Sequence, residues 1–207
     1  MKSLLVVKES DVEAAKEFFA EEGFKIVTGY RYLGGFVGEP QKQTLFIQDR
    51  IKNWIAGVDD LARAAVKYPQ TAYAGLQKSL QQEWQFLQRV TEGIEGAFSG
   101  LEEAISGRFL PALLGDKLPE DMRHMIMGLP VKEAGKAISD PSEVATKNWI
   151  NSTVICGHII SAIRKTEEFN PASHAIVMQA GKVESRTRFL VSSEVKLSLF
   201  SHCKSAR

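Results

Sequence analysis

Few side chains of this chain have the types and spacing that catalysis requires. Two-metal phosphoryl transfer needs two or three carboxylates that converge on ions about 4 Å apart. The adjacent aspartates Asp59 and Asp60 are the nearest match, but they fall inside an amphipathic helical pattern. Consecutive side chains of a helix point about 100° apart, so we predict that both aspartates lie on a solvated face. The glutamate pairs Glu21-Glu22 and Glu102-Glu103 have the same interpretation.

Histidine and cysteine form no recognisable metal or nucleophile motif. A structural zinc site takes four ligands at characteristic short spacings. The histidines and cysteines here are scattered: His124, His158, His174, His202, Cys156 and Cys203. Cys156 and His158 are two residues apart in a helical pattern, which places them on different faces. We therefore predict no catalytic residue and no metal ligand.

Four glycines are concentrated between residues 29 and 38: Gly29, Gly34, Gly35 and Gly38. A phosphate-binding loop needs Lys-Ser or Lys-Thr after its final glycine and a helix N-terminus that holds the anion. Here Gly38 is followed by Glu39 and Pro40. The pattern therefore favours a tight turn with close backbone approach over a nucleotide-binding loop.

The composition is that of a folded protein with nearly balanced charge. Apolar residues make up 44% and charged residues 25% of the chain, and 26 basic residues face 25 acidic ones. A free-standing nucleic-acid-binding domain normally has a clear basic excess. From Ala172 onward six basic residues face two acidic ones, so we predict a basic tail after a mildly acidic body.

We find no segment typical of export or membrane insertion. No stretch reaches the roughly 18 apolar residues of a membrane span. The apolar run at residues 3–7 ends at Lys8 and Glu9, which is too short for a signal peptide, and two cysteines suit a reducing compartment. We predict an intracellular protein, cytoplasmic or nuclear and not secreted, without a membrane partner.

The hydrophobic patterns predict an α+β fold in which a small β-α-β-β unit precedes a mostly helical region. Residues 3–7 and 24–28 have strand patterns, a helical pattern between them ends at Gly23, and residues 31–37 are predicted to form a further strand. Helices are predicted over 41–67, from Pro69 to about Arg89, and over 96–114, 119–127 and 141–165. The last begins with the N-cap sequence Asp140-Pro141-Ser142-Glu143. In the tail, residues 188–191 and 195–200 have strand patterns but no neighbouring strand in sequence.

From Lys2 to about Gly115 the sequence resembles the C-terminal part of the reverse transcriptase (RNA-directed DNA polymerase) region of retrotransposons. Lys2–Lys8 resembles the strand after that family's catalytic turn, and Gly29–Gly38 resembles its Tyr-Leu-Gly primer-grip hairpin. Later stretches resemble the thumb and connection helices: Trp54 with Val58–Ala62, Pro69–Gln77, Trp84–Arg89 and Phe109–Leu113. Leu129–Lys132 and Asp140-Pro141 match a downstream segment of the same family.

The resemblance implies a domain organisation and a set of nucleic-acid contacts. Residues 1–40 correspond to the end of the palm and the primer grip, 41–115 to a thumb-like helical bundle, and 116–171 to a connection-like helical segment. The resemblance does not extend to residues 172–207, for which the composition predicts a basic, disordered tail. The implied contacts in the first segment are Lys2, Tyr32, Leu33, Gly34 and Gly35. The candidate phosphate contacts on the thumb-like helix are Lys42, Arg50, Lys52 and Arg63.

The family's catalytic carboxylates do not occur in these 207 residues. They lie on an Asp-containing strand and in a Tyr-x-Asp-Asp turn, which together hold the Mg²⁺ ions of a complete polymerase. This chain by itself is therefore expected to bind no cofactor and to be catalytically silent. The partners implied by the resemblance are an RNA/DNA duplex or hybrid and other parts of a polymerase polyprotein.

A helical protein-interaction module without nucleic-acid function is the alternative interpretation. Palm and thumb surfaces without their packing partner would expose apolar residues, and apolar patches mark sites for protein partners. Asp49, Asp59 and Asp60 on helix 41–67 also weaken the attraction of that helix for phosphate.

Overall fold

The N-terminal part of the chain begins with a parallel pair of strands. The structure, a computed structural model, describes residues 3–19, 21–116, 127–129, 131, 135–166, 168, 170–176 and 178–179. Its first unit consists of β1 (Leu4–Val6), α1 (Val12–Phe18) and β2 (Lys25–Val27), with α1 as the crossover that parallel strands require. Lys2, most of the helix predicted over 119–127 and most of the predicted basic tail lie outside the described residues.

β3 (Gly29–Tyr32) and β4 (Gly35–Gly38) form an antiparallel hairpin rather than the single strand predicted over 31–37. Leu33 and Gly34 form its turn with φ values of +47° and +87°, since both turn residues of a type I′ hairpin need positive φ. Leucine rarely adopts such a value, so the strand pattern did not place the turn at Leu33, although the four glycines and the resemblance to a hairpin indicated a turn in this region. The predicted β-α-β-β arrangement is not confirmed, because the strands form two separate two-stranded sheets.

Helices make up most of the described chain, which confirms the mostly helical α+β class. Their bounds are α2 (Pro40–Ala65), α3 (Pro69–Gly75), α4 (Gln81–Val90), α5 (Ser99–Ala104), α6 (Leu110–Leu114) and α7 (Pro141–Ile163). A π-helical turn over Leu76–Leu80 joins α3 to α4, and another over Ile105–Phe109 joins α5 to α6. Within the described ranges, no helix combines the length and the apolar content of a membrane span.

The second π-helical turn lies just before Pro111. Proline has no N–H to donate, and in a regular α-helix its ring collides with the carbonyl group four residues earlier. The wider turn over Ile105–Phe109 relieves this conflict. The chain therefore continues as a helix to Leu114 instead of breaking.

Aromatic rings from different helical segments form the centre of the core. The Trp54 ring centroid lies 6.3 Å from that of Trp84 and 6.5 Å from that of Phe98. Ile47, Ile51, Trp54 and Val58 are buried at three- and four-residue spacing, which confirms the amphipathic pattern predicted for helix 41–67. Ile138 and Ala145 belong to the same core, so the predicted thumb-like and connection-like segments pack together.

A row of glutamines holds segment 136–141, which leads into α7, against the helix that runs from α3 to α4. The glutamine row consists of Gln77, Gln81, Gln85 and Gln88, which are three or four residues apart and therefore share one helix face. The Gln81 amide donates to the Ala137 carbonyl oxygen over 3.1 Å and accepts from the Ser139 N–H over 3.2 Å. The Gln81 side chain thus forms hydrogen bonds with backbone groups of segment 136–141 that have no secondary-structure partner of their own.

Tyr73 attaches the beginning of the same segment. Its Oη donates to the Lys136 carbonyl oxygen over 2.6 Å, and Gln77 Nε2 donates to Tyr73 Oη over 3.0 Å. Burial raises the pKa of Tyr73 above its ordinary value, which is already high enough to keep the phenol protonated at neutral pH.

Gln88 is fully buried, and both ends of its amide are paired. Its Nε2 donates to the Pro141 carbonyl oxygen over 2.8 Å, and its Oε1 accepts from Asn148 Nδ2 over 2.7 Å. Because Pro141 and Asn148 both belong to α7, these bonds position α7 on α4. The Asp140 carboxylate caps α7 as predicted, accepting two backbone N–H bonds of 2.8 and 3.1 Å.

Gln88→Leu should lower the free energy of unfolding by about 1 to 3 kcal/mol, because leucine leaves the Pro141 carbonyl buried and unpaired and removes the partner of the half-buried Asn148 amide. Urea unfolding followed by circular dichroism measures the change. Gln82→Leu is the matched control, since Gln82 is exposed on the same helix and its replacement should change stability by about 0.5 kcal/mol or less. Equal losses in the two variants would contradict the role assigned to Gln88.

Candidate functional site

The turn end of the β3–β4 hairpin exposes large side chains to solvent. Tyr30, Tyr32 and Leu33 are 46%, 64% and 78% exposed, and Arg31 is exposed between the two tyrosines. We call these four consecutive residues the hairpin tip. Because Tyr30 and Tyr32 are two residues apart on one strand, their side chains leave the same face about 7 Å apart.

The glycines after the hairpin tip allow the hairpin to lie against α4. A Cβ atom added at Gly34 would lie 2.9 Å from Phe86 Cε1, and one added at Gly35 would lie 3.2 Å from Val90 Cγ2. The resemblance implied that Gly34 and Gly35 contact nucleic acid. The structure places them against the protein's own helix, so the close backbone approach that they permit is internal.

Lys42 closes the base of the hairpin. Its Nζ donates to Thr28 Oγ1 and lies 3.2 Å from Glu39 Oε2. The Glu39 N–H donates to the Thr28 carbonyl oxygen over 2.8 Å. These contacts join β2, the end of β4 and the first turn of α2, and they leave Lys42 engaged with a carboxylate.

Arg50 is part of a cluster that ties α2 to α4. Its Nη2 lies 2.9 Å from Glu83 Oε2, which also accepts from Trp54 Nε1 over 2.9 Å. The Arg50 guanidinium carbon lies 5.1 Å from the centroid of the Trp54 ring, a cation–π distance. Arg50 thus neutralises Glu83 and packs on a core residue.

The remaining predicted phosphate contacts lie farther along α2. Arg63 pairs with Asp60, whereas Lys52 is exposed and forms no ion pair with a described residue. At 1.5 Å per residue, Lys42 and Arg63 are about 30 Å apart along the helix. The structure therefore brings together Tyr32, Leu33, Gly34 and Gly35 but does not gather the four α2 cations into one basic patch.

Two residues of the hairpin tip were missed by the sequence analysis. Tyr30 and Arg31 precede the Tyr-Leu-Gly phrase that carries the resemblance, and both are exposed. The signal for them was the alternation Tyr30-Arg31-Tyr32, because strand residues two apart share a face. That signal becomes informative only once the exposed face of the strand is known.

A shallow pocket of about 60 Å³ lies where α7 begins next to α5. Its lining combines apolar side chains such as Ile105 and Ile138 with the carboxylates of Asp140 and Glu143. Both carboxylates have partners, since Asp140 caps α7 and Glu143 pairs with Lys147 over 3.2 Å. Among the residues that the structure describes, no three His, Cys, Asp or Glu side chains are grouped as a metal site requires.

Comparison with known proteins adds no relative: no family model, no curated protein and no solved structure matches this chain. The candidate site is therefore defined by the geometry of the hairpin tip and by the residues that support it on α4.

Gly34→Ala should lower the free energy of unfolding by about 2 to 3 kcal/mol. The left-handed backbone conformation of Gly34 destabilises a residue that has a Cβ atom by about 1 to 2 kcal/mol. The new methyl group must also displace the Phe86 ring, which lowers the stability further. Gly93→Ala is the matched control, because Gly93 has φ +68° but open space around it, so only the backbone cost applies. Urea unfolding measures the free energy of unfolding of both variants. Equal losses of stability would contradict the close contact between Gly34 and α4.

Proposed function

We propose that this chain is a reverse-transcriptase-derived segment of a retrotransposon polyprotein that contacts a primer–template hybrid through the hairpin tip. In this proposal β1, α1, β2 and the hairpin correspond to the end of the palm and the primer grip. Helices α2 to α6 correspond to the thumb and α7 to the connection. The observation that carries the proposal is a hairpin with exposed aromatic rings, supported on a packed helix, at the position of the Tyr-Leu-Gly phrase.

The chemistry of the hairpin tip suits nucleic acid that is not fully paired. Stacking of a base on an aromatic side chain contributes about 1 to 3 kcal/mol to the binding free energy, largely independent of the nucleotide sequence. Arg31 and Lys52 are the exposed cations on the hairpin and α2 without an ion pair to a described residue, so they would supply phosphate contacts. With so few contacts and a net charge of +1, binding should be weak and only shallowly dependent on salt.

The proposed segment does not polymerise by itself. In the family that the sequence resembles, the ions that neutralise the developing phosphoryl charge are held by carboxylates of an Asp-containing strand and a Tyr-x-Asp-Asp turn. Neither motif occurs in these 207 residues. The proposed role is therefore to hold the hybrid, with Mg²⁺ bound only in a complete polymerase.

The double variant Tyr30→Ser/Tyr32→Ser should bind a fluorescently labelled RNA template annealed to a shorter DNA primer at least fivefold more weakly than the natural chain. Loss of one stacked base costs about 1 kcal/mol or more, which is about fivefold in Kd. Fluorescence anisotropy at low salt measures Kd. Tyr68→Ser is the matched control, because Tyr68 is 55% exposed and lies directly before α3, away from the hairpin in sequence.

Equal binding by the natural chain and the double variant would contradict the proposed contact. The same samples also test catalytic silence when Mg²⁺ and deoxynucleotides are added. We expect no primer extension, and metal-dependent extension by the purified chain would overturn this part of the proposal.

A helical protein-interaction module is a second candidate, favoured by the surface of α7. Between residues 148 and 163 the helix carries no Asp, Glu, Lys or Arg. Its exposed apolar side chains are Ile150, Val154, Ile159, Ile160 and Ile163, which are 40% to 75% exposed. An apolar patch of this kind is typical of a surface that binds protein.

If α7 is such a surface, the purified chain should self-associate with increasing concentration, and Val154→Glu/Ile163→Glu should remain monomeric. Introduced charges cannot be desolvated in an apolar interface without a large cost. Analytical ultracentrifugation measures the association. Leu45→Glu is the matched control, since Leu45 is 66% exposed on α2. A natural chain that is monomeric at all concentrations would count against this candidate.

A further inference from the structure

Leu33, the first turn residue of the hairpin, combines a disfavoured backbone conformation with an exposed apolar side chain. Its φ of +47° lies in the left-handed region, which glycine and asparagine adopt far more readily than bulky apolar residues do. Its side chain is 78% exposed. An exposed leucine is ordinary by itself, whereas strained backbone conformations cluster at sites that bind ligands. The combination therefore calls for an explanation outside local geometry.

Packing within the chain does not explain a leucine at this position. Tyr32 pairs with Gly35 across the hairpin, so Leu33 and Gly34 form a two-residue turn, for which Asn-Gly and Asp-Gly are the preferred sequences. The turn is held on α4 through its second residue, since Phe86 lies against Gly34. Leu33 does not belong to the hydrophobic core of the described residues. Asparagine would therefore suit the backbone better without removing a core contact.

A leucine side chain binds apolar surface, because it neither donates nor accepts a hydrogen bond. A continuous RNA/DNA duplex offers little such surface: stacking covers the faces of its bases, and its exterior presents phosphates, sugars and the polar edges of the bases. The face of a base is free only where stacking is interrupted, as at the last base pair of a paired region. Leucine is among the side chains that pack on base faces at interrupted steps.

The residues beside Leu33 fit the nucleotides that follow such an end. Tyr30 and Tyr32 leave one face of β3 about 7 Å apart, roughly twice the 3.4 Å spacing of stacked bases, which leaves room for one base between two rings. Arg31 is exposed between them and forms no ion pair with a described residue, so its charge is available to a phosphate. Leu33 follows Tyr32 directly, and adjacent Cα atoms are 3.8 Å apart, close to the same spacing of bases.

We propose, on the basis of the proposed function, that Leu33 packs on the exposed face of the last primer–template base pair. Tyr30 and Tyr32 then hold the unpaired template bases beyond that pair. The feature that the hairpin tip recognises is accordingly the end of the paired region and not the duplex itself.

Leu33→Asn tests the proposal, because asparagine has as many side-chain heavy atoms as leucine, is polar and tolerates the left-handed backbone. The variant should unfold at a urea concentration about 0.3 M higher than the natural chain. It should bind the fluorescently labelled RNA template annealed to a shorter DNA primer at least about threefold more weakly in fluorescence anisotropy, since the apolar contact is lost. Its binding of the template strand alone, which has no base-pair face, should be unchanged.

Leu33→Met is the matched control, because methionine keeps an apolar side chain of similar size. Its affinity for the hybrid should stay within about twofold of that of the natural chain. Weaker binding of the hybrid alone by Leu33→Asn, together with a higher urea midpoint and retained binding by Leu33→Met, supports the proposal.

Three results would overturn the contact between Leu33 and the base pair. Unchanged binding of the hybrid by Leu33→Asn would leave the leucine to a protein partner. Equal weakening for the hybrid and the single strand would assign it to an unpaired base, and a lower urea midpoint would make its role structural. Equal binding of the hybrid by the natural chain and Tyr30→Ser/Tyr32→Ser is a separate result, which contradicts the proposed function itself and the Leu33 contact with it.

Discussion

The buried amide of Gln88 is the interaction on which the arrangement of the helices depends. A buried amide that loses its partners costs roughly 1 to 3 kcal/mol, so Gln88 can occupy the core only while Pro141 and Asn148 remain beside it. Gln81, which is 5% exposed, has the same requirement. Apolar contacts alone tolerate sliding, whereas paired amides specify one position of α7 and of the segment before it.

α4 supports two neighbours on opposite sides. Its glutamines face segment 136–141, and Phe86 and Val90, which lie roughly opposite on a helix of 100° per residue, contact the hairpin at Gly34 and Gly35. Trp84 lies between these faces and is fully buried. A helix of ten residues thereby positions both α7 and the hairpin tip. A stacking surface held in this way loses little entropy when it binds, which is why the support matters for the proposed contact.

The candidate site could be predicted from the sequence only in part. The Tyr-Leu-Gly phrase indicated the hairpin residues, but the sequence did not show that Gly34 and Gly35 face α4. The cations on α2 illustrate the reason. Arg50 pairs with Glu83, 33 residues away, and a contact of such sequence separation leaves no local pattern. A lysine or arginine that is free in an isolated helix is therefore often neutralised once the helices pack.

The sequence by itself determined most of the described helices and the buried stripe of α2, because hydrophobic periodicity and the Asp140 N-cap act within one or two turns. It also determined the near-neutral charge and the absence of a Tyr-x-Asp-Asp turn. Only the tertiary structure decided that the hairpin turn lies at Leu33 and Gly34, that the glutamine row pairs with segment 136–141, and that Arg50 is neutralised. Each of these depends on groups that are distant in sequence or on a backbone conformation that the residue type disfavours, and packing energy from the whole core is what stabilises them.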